Sequence, residues 1–92
     1  MSGTRRTVTI VNQRGLHARA SAKFVGAVAS LPEGLAVKVV KDGHEAAGGS
    51  ILGLMMLGAA RGDSIDIVVS GEGEADALEQ LCAMVEDGFG EE

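Results

Sequence analysis

The sequence contains no tryptophan and no tyrosine, and its 92 residues include only two phenylalanines, one cysteine and one proline. With so few aromatic rings, the chain lacks stacking platforms for single-stranded nucleic acid or sugar rings. The single cysteine, Cys82, excludes an intramolecular disulfide and fits a reducing compartment. These absences argue against disulfide-rich secreted scaffolds and several binding modules, and they predict a cytoplasmic protein.

Long apolar runs are also missing. The longest apolar candidate, Ile51–Ala60, is interrupted by Gly53 and Gly58 and is shorter than the ~18–20 residues that a membrane helix needs. The N-terminal segment has no uninterrupted apolar stretch, so a signal peptide is not expected. A length of 92 residues fits one compact domain, and we therefore expect a single domain over residues 1–92 that does not associate with membranes.

Charge is distributed unevenly along the chain. The formal net charge of −5 at pH 7 disfavours nucleic acid as a partner. Every charged residue from Met1 to Lys23 is basic, whereas every charged residue from Glu72 to Glu92 is acidic. The basic segment can attract an anion, although two ordinary solvated surfaces explain the same pattern.

Hydrophobic periodicity predicts elements in the order β-α-β-β-α-β-α. The predicted strands alternate apolar and polar residues and are Thr7–Val11, Leu35–Lys41, His44–Ala47 and Ser64–Ser70. The predicted helices carry apolar stripes and are Ala18–Leu31, Ile51–Leu57 and Glu74–Asp87. We expect an α+β open-faced β-sandwich, in which three helices cover one face of a four-stranded antiparallel sheet.

A histidine stands where a glycine loop meets a predicted helix, in Gly15-Leu16-His17-Ala18-Arg19. A neutral imidazole can attack a phosphoryl donor and form an N–P bond that is labile enough to pass the group on. Free N–H groups at a helix start stabilise the resulting dianion, and Arg19 adds a charge-assisted donor. On spacing alone, a histidine beside a helix start is more often a surface or capping residue than a phosphoryl acceptor.

Metal binding has weaker support. His17, His44 and Cys82 lack the spacing of metal ligands, so we expect neither a metal nor a cofactor. A small regulatory module of ferredoxin-like topology, which binds a metabolite or a protein without chemistry, remains the alternative to a phosphoryl carrier.

Two motifs resemble HPr, the family of histidine-containing phosphocarriers of the bacterial phosphoenolpyruvate-dependent phosphotransferase system. Gly15–Arg19 is similar to the active-site signature of that family, and Gly49–Gly58 is similar to its regulatory-serine segment. The resemblance implies that enzyme I, charged by phosphoenolpyruvate, phosphorylates Nδ1 of His17, and that an enzyme IIA-type acceptor takes the group. Arg19 would stabilise the phosphohistidine. The chain would then be a monomeric carrier in sugar transport or regulation, and not an autonomous enzyme.

The resemblance also extends to the surroundings of His17. The residues expected to support the phosphate are Gly15, Leu16, Ala18 and Arg14. Arg14 occupies the position of a frequent loop asparagine, and Ala20 occupies that of a frequent proline, which leaves the helix start less rigid. The Ala20 substitution and the glycine-rich second motif would suit a nitrogen-type or regulatory branch of the system.

Ser50 has two interpretations. It can serve only as the N-cap of the second helix, or, as the resemblance implies, it can be phosphorylated by an HPr kinase/phosphorylase. A phosphate there would oppose an acidic partner. Gly49 stands where some relatives have lysine, which leaves kinase recognition open.

The resemblance further implies a partner-docking surface beside the histidine. Its expected members are Ala20, Phe24, Ile51, Leu52 and Met55. The apolar second helix can instead be plain core, as we expect for Leu54 and Leu57.

Overall fold

The structure, a computed structural model, describes residues 3–91. The ends of the predicted domain, Met1, Ser2 and Glu92, lie outside the described residues. The strands are β1 (Thr4–Thr9), β2 (Ala36–Lys41), β3 (His44–Ala47) and β4 (Ser64–Ser70). The helices are α1 (Ala18–Ala29), α2 (Ile51–Met56) and α3 (Glu74–Glu86), followed by a 3₁₀-type turn at Gly88–Gly90. The predicted order of elements is confirmed.

The strands form one antiparallel sheet in the order β1-β4-β2-β3. Val8 pairs with Ile65, and Val39 pairs with Ile67, so their side chains share the face that the helices cover. The opposite face is polar: Asp66 accepts hydrogen bonds from Arg5 Nη2 at 2.7 Å and from Thr7 Oγ1 at 2.6 Å. The predicted open-faced antiparallel sheet is therefore confirmed.

The first strand begins and ends earlier than predicted. Arg5 and Arg6 pair with Val68 and Ile67, so the strand extends through residues that show no apolar alternation. Val11, the predicted last residue, lies beyond the strand and is 46% exposed. The ends of β1 are set by backbone pairing with β4, and the local sequence of β1 does not reveal this pairing.

The core lies between the sheet and the helices. Phe24 of α1 and Leu81 of α3 are fully buried against it, and Leu54 anchors the short helix α2. Cys82 is a free, buried thiol within this core, and burial raises its pKa. Among residues 3–91, no helix combines the length and the apolar composition that a membrane crossing needs.

Candidate functional site

The loop between β1 and α1 is held against the segment that follows α2. Gly15 has a φ of +65°, and a Cβ at this position would lie 2.3 Å from the Ala59 carbonyl oxygen. The Leu16 N–H donates to the same oxygen at 3.0 Å. Only glycine combines this backbone angle with such a close approach. Gly15 therefore fixes the loop that leads into His17, and its expected support of the phosphate stays a prediction.

His17 is the N-cap of α1. Its Nδ1 accepts a hydrogen bond from the Arg19 N–H at 3.3 Å, so this nitrogen faces the start of a 12-residue helix. Leu16 is buried beside it, and its carbonyl oxygen accepts from Ser21 Oγ at 3.2 Å. The first turn of α1 contains no acidic residue. The helix dipole and the free N–H groups thus favour an anion next to Nδ1.

The other ring nitrogen of His17 contacts Glu91, near the end of the described chain. Nε2 lies 2.7 Å from Glu91 Oε2, and both side chains are largely buried. A carboxylate can only accept, so Nε2 carries the proton and Nδ1 is the unprotonated nitrogen, whose lone pair accepts from the Arg19 N–H. The pKa of Glu91 lies below its ordinary value, chiefly because His17 donates this hydrogen bond. Partial burial opposes the shift, and a hydrogen bond from Asn12 supports it.

Asn12 connects Glu91 to the loop. Its Nδ2 donates to the Gly15 carbonyl oxygen at 2.8 Å and to Glu91 Oε1 at 3.1 Å. The reverse orientation of the amide would place its oxygen against two acceptors, so this network fixes the assignment. The sequence reasoning missed both Asn12 and Glu91. The available signal was Phe89 between two glycines, a pattern that favours a tight turn.

His17 opens onto a surface cavity of about 870 Å³ whose lining contains four cationic residues. These residues are Arg14, Arg19, Lys23 and Arg61. Within residues 3–91, none of the three arginines has a carboxylate oxygen within 4.0 Å. The cavity also has acidic walls at Glu86 and Asp87. Sequence reasoning missed Arg61, because only the fold brings its loop to the His17 side.

Ser50 is the N-cap of α2. Its Oγ accepts from the Gly53 N–H at 2.9 Å, so the predicted capping role is confirmed. The predicted regulatory phosphorylation is a separate matter and stays a prediction.

The expected docking surface divides into two parts. Ile51, Leu52 and Met55 are 41%, 67% and 40% exposed, as a docking surface requires, and Met56, which was not predicted, is 77% exposed. The expectation for Ala20 and Phe24 was wrong, since these side chains are 0% and 1% exposed. Both point from α1 into the core and cannot reach a partner.

Comparison with known proteins connects this geometry to a family. Residues 4–87 match the family model described as "PTS HPr component phosphorylation site". The phosphocarrier protein HPr of Neisseria meningitidis serogroup B is 39% identical over 87 residues, which cover 95% of this chain and 96% of the relative. The phosphocarrier protein NPr of Shewanella violacea is 35% identical over 91 residues, which cover 99% of this chain and 98% of the relative.

The fold also resembles solved structures of HPr proteins. The crystal structure of HPr-C-His from Thermoanaerobacter tengcongensis matches with a TM-score of 0.88 and 34% identity, covering 97% of this chain and 98% of that chain. The chain therefore belongs to the PTS HPr family of phosphocarriers. Membership implies partners within the phosphotransferase system, such as enzyme I and IIA-type proteins. The resemblance predicted from the sequence is confirmed.

Proposed function

We propose that Nδ1 of His17 accepts a phosphoryl group from phosphorylated enzyme I and passes it to an enzyme IIA-type acceptor. The observation that carries this proposal is the orientation of Nδ1, whose lone pair faces the start of α1 beside the Arg19 N–H. In the first transfer, this lone pair forms the N–P bond while the bond from phosphorus to the donor breaks. The donor atom keeps the electron pair of that bond.

The surroundings of Nδ1 fit the product of this reaction. A phosphoryl group carries about two negative charges, and it would meet the free N–H groups of α1 and a cavity lined by Arg14, Arg19 and Arg61. Gly15 and the buried Leu16 hold the loop in place, and Ala18 begins the helix. Because no carboxylate within residues 3–91 pairs with these arginines, their charge is available to the phosphoryl oxygens.

The first experiment is intact-mass spectrometry after incubation with enzyme I and phosphoenolpyruvate. We expect one added phosphate on the wild type, lost in acid and absent from His17→Ala. His44→Ala is the matched control, because His44 is the other histidine of the chain and lies exposed on β3. No added phosphate with an active cognate enzyme I would refute the carrier function and favour a binding module without chemistry.

For partner docking we propose the exposed apolar surface of α2 together with the cations of the cavity. Ile51, Leu52, Met55 and Met56 supply the apolar area, and the arginines would attract an acidic partner surface. Helices α1 and α2 pack against each other, which supports one continuous contact. A choice between sugar and nitrogen-type acceptors can be made by offering both to the phosphorylated protein.

A regulatory role for Ser50 is a further part of the proposal, with an HPr kinase/phosphorylase as the modifying partner. A phosphate on Ser50 would add negative charge beside Ile51 and oppose an acidic partner, so we expect slower phosphorylation of His17. Ser50→Asp and Ser50→Asn both keep a capping side chain and differ only in charge. Equal rates of phosphorylation of these two variants by enzyme I would contradict the regulatory role.

We also propose that the protein is a monomer located in the cytoplasm. The buried free thiol of Cys82 supports a reducing compartment. An HPr dimer from Thermoanaerobacter tengcongensis is among the similar structures, which makes the oligomeric state a direct question for analytical ultracentrifugation. A dimer at working concentration would contradict this part of the proposal.

A further inference from the structure

The described chain ends in a short segment that folds back over the active-site loop. We call this segment, Gly88–Glu91, the C-terminal clasp. Gly88, Phe89 and Gly90 have φ values of 70°, 60° and 71°, so three consecutive residues adopt the left-handed region. A phenylalanine rarely adopts this conformation. Its side chain is 3% exposed, and burial in the core holds it there.

Polar contacts fix the clasp on both sides of His17. Lys23 Nζ donates to the Phe89 carbonyl oxygen at 2.8 Å, which ties the clasp to α1. Asn12 Nδ2 donates to Glu91 Oε1, and His17 Nε2 donates to Glu91 Oε2. Each carboxylate oxygen of Glu91 therefore has a donor within 3.1 Å. These contacts hold the Glu91 carboxylate beside Nε2 of His17.

We propose that Glu91 is a positioning residue for phosphoryl transfer: the C-terminal clasp holds its carboxylate on Nε2 of His17 and so directs the proton to Nε2 and the reaction to Nδ1. This inference rests on the proposed function. It adds a residue outside the Gly15–Arg19 motif. The buried Phe89 and the exposed Lys23, which hold the clasp, act through Glu91.

The carboxylate has a second effect once the phosphoryl group is bound. When the neutral ring attacks through Nδ1, Nε2 keeps its proton and the ring becomes cationic. A carboxylate beside Nε2 stabilises that charge, as the aspartate of a catalytic triad stabilises its imidazolium. In the onward transfer the Nδ1–P bond breaks and its electron pair returns to Nδ1. The departing ring is then neutral imidazole and not the poorer leaving group imidazolate.

Other charged residues line the same cavity as the ring, and they set the background for any titration. The cations are Arg14 from the loop, Arg19 and Lys23 from α1, and Arg61 from the segment before β4; the acids are Glu86 and Asp87 at the end of α3. Among the carboxylates of residues 3–91, only that of Glu91 lies within 4.0 Å of a nitrogen of His17. Removing the charge of Glu91 therefore tests its contact with His17 separately from the other charges of the cavity.

The test compares Glu91→Gln with wild type after phosphorylation by enzyme I. Glutamine keeps the size of the side chain and removes the charge. We expect the ring of phosphohistidine 17, followed by the phosphorus-31 chemical shift against pH, to lose its Nε2 proton about one pH unit lower in the variant. We also expect several-fold slower transfer to the acceptor. Glu79→Gln, the same change at an exposed site on α3, is the matched control.

Two results would overturn the inference. One is a titration of Glu91→Gln that coincides with those of wild type and Glu79→Gln. The other is a nitrogen-15 spectrum of unphosphorylated wild type in which the proton resides on Nδ1. Both differ from failure of the proposed function, in which the wild type itself gains no phosphate on His17.

Discussion

Helices α1 and α2 begin in the same way and differ in almost everything around them. Each has an N-cap side chain that accepts from a backbone N–H, at 3.3 Å for His17 and 2.9 Å for Ser50. Helix α1 has 12 residues, buries Phe24 and starts beside a cavity with four cations. Helix α2 has 6 residues and exposes Leu52 and Met56. Capping geometry alone therefore does not make a reactive site, and the surrounding charge and burial distinguish the two.

The largest expected effect concerns burial. Phe24→Ala should lower the free energy of unfolding by about 3–5 kcal/mol, because it empties a fully buried position of α1. Leu52→Ala should change the free energy of unfolding by about 0.5 kcal/mol or less, because Leu52 is 67% exposed on α2. Urea unfolding followed by circular dichroism measures both. Similar losses in the two variants would remove the distinction between a core helix and a surface helix.

Leu52→Ala should have its effect on partner binding instead. We expect a higher KM for enzyme I with little change in kcat, because the apolar contact is made before and during transfer alike. An unchanged KM would remove Leu52 from the docking surface.

The next effect concerns charge at the start of α1. Arg19→Gln should slow phosphorylation of His17 by about 10- to 150-fold, because a charge-assisted hydrogen bond to the phosphoryl group is worth roughly 1.5–3 kcal/mol. Arg5→Gln removes the same charge on the open face of the sheet, where Arg5 pairs with Asp66. Rapid-quench kinetics with enzyme I compares the two. If both variants slow the reaction equally, general attraction and not local stabilisation explains the arginines.

The smallest effect concerns the cap of α2. Ser50→Ala should lower the free energy of unfolding by about 1 kcal/mol, because the Gly53 N–H loses its acceptor. Ser50→Asn should retain most of the stability, since asparagine is an equally good cap. Thermal unfolding of both variants and of wild type measures these differences in stability. Equal stability of Ser50→Ala and wild type would show that α2 does not depend on its cap.

Local motifs predicted the parts of the site that depend on neighbouring residues. Gly15, His17 and Ser50 each lie at a loop-to-helix junction. Such junctions favour glycine and capping side chains, so a few neighbouring residues are enough to recognise them. The element order followed from periodicity in the same way. Strand order did not, because the central position of β4 depends on pairings between distant segments.

The parts that failed depend on tertiary structure or on resemblance. Glu91 and Arg61 reach His17 only after the clasp and the segment before β4 have folded onto the loop. Phe24 was assigned to docking by resemblance, although it shares an apolar stripe with Val28 and Leu31, which pack against the core. Here the periodicity was the better guide to the position of the side chain.

The buried thiol of Cys82 can report local unfolding of α3. Cys82 is the single cysteine of the chain, it is completely shielded in the native core, and burial raises its pKa, so the reactive thiolate is scarce. A maleimide can react with it only in molecules whose third helix has separated from the sheet. The labelling rate of the unphosphorylated protein therefore measures how often α3 opens under native conditions. The labelling rate of the phosphorylated protein shows whether phosphorylation of His17 lowers that frequency.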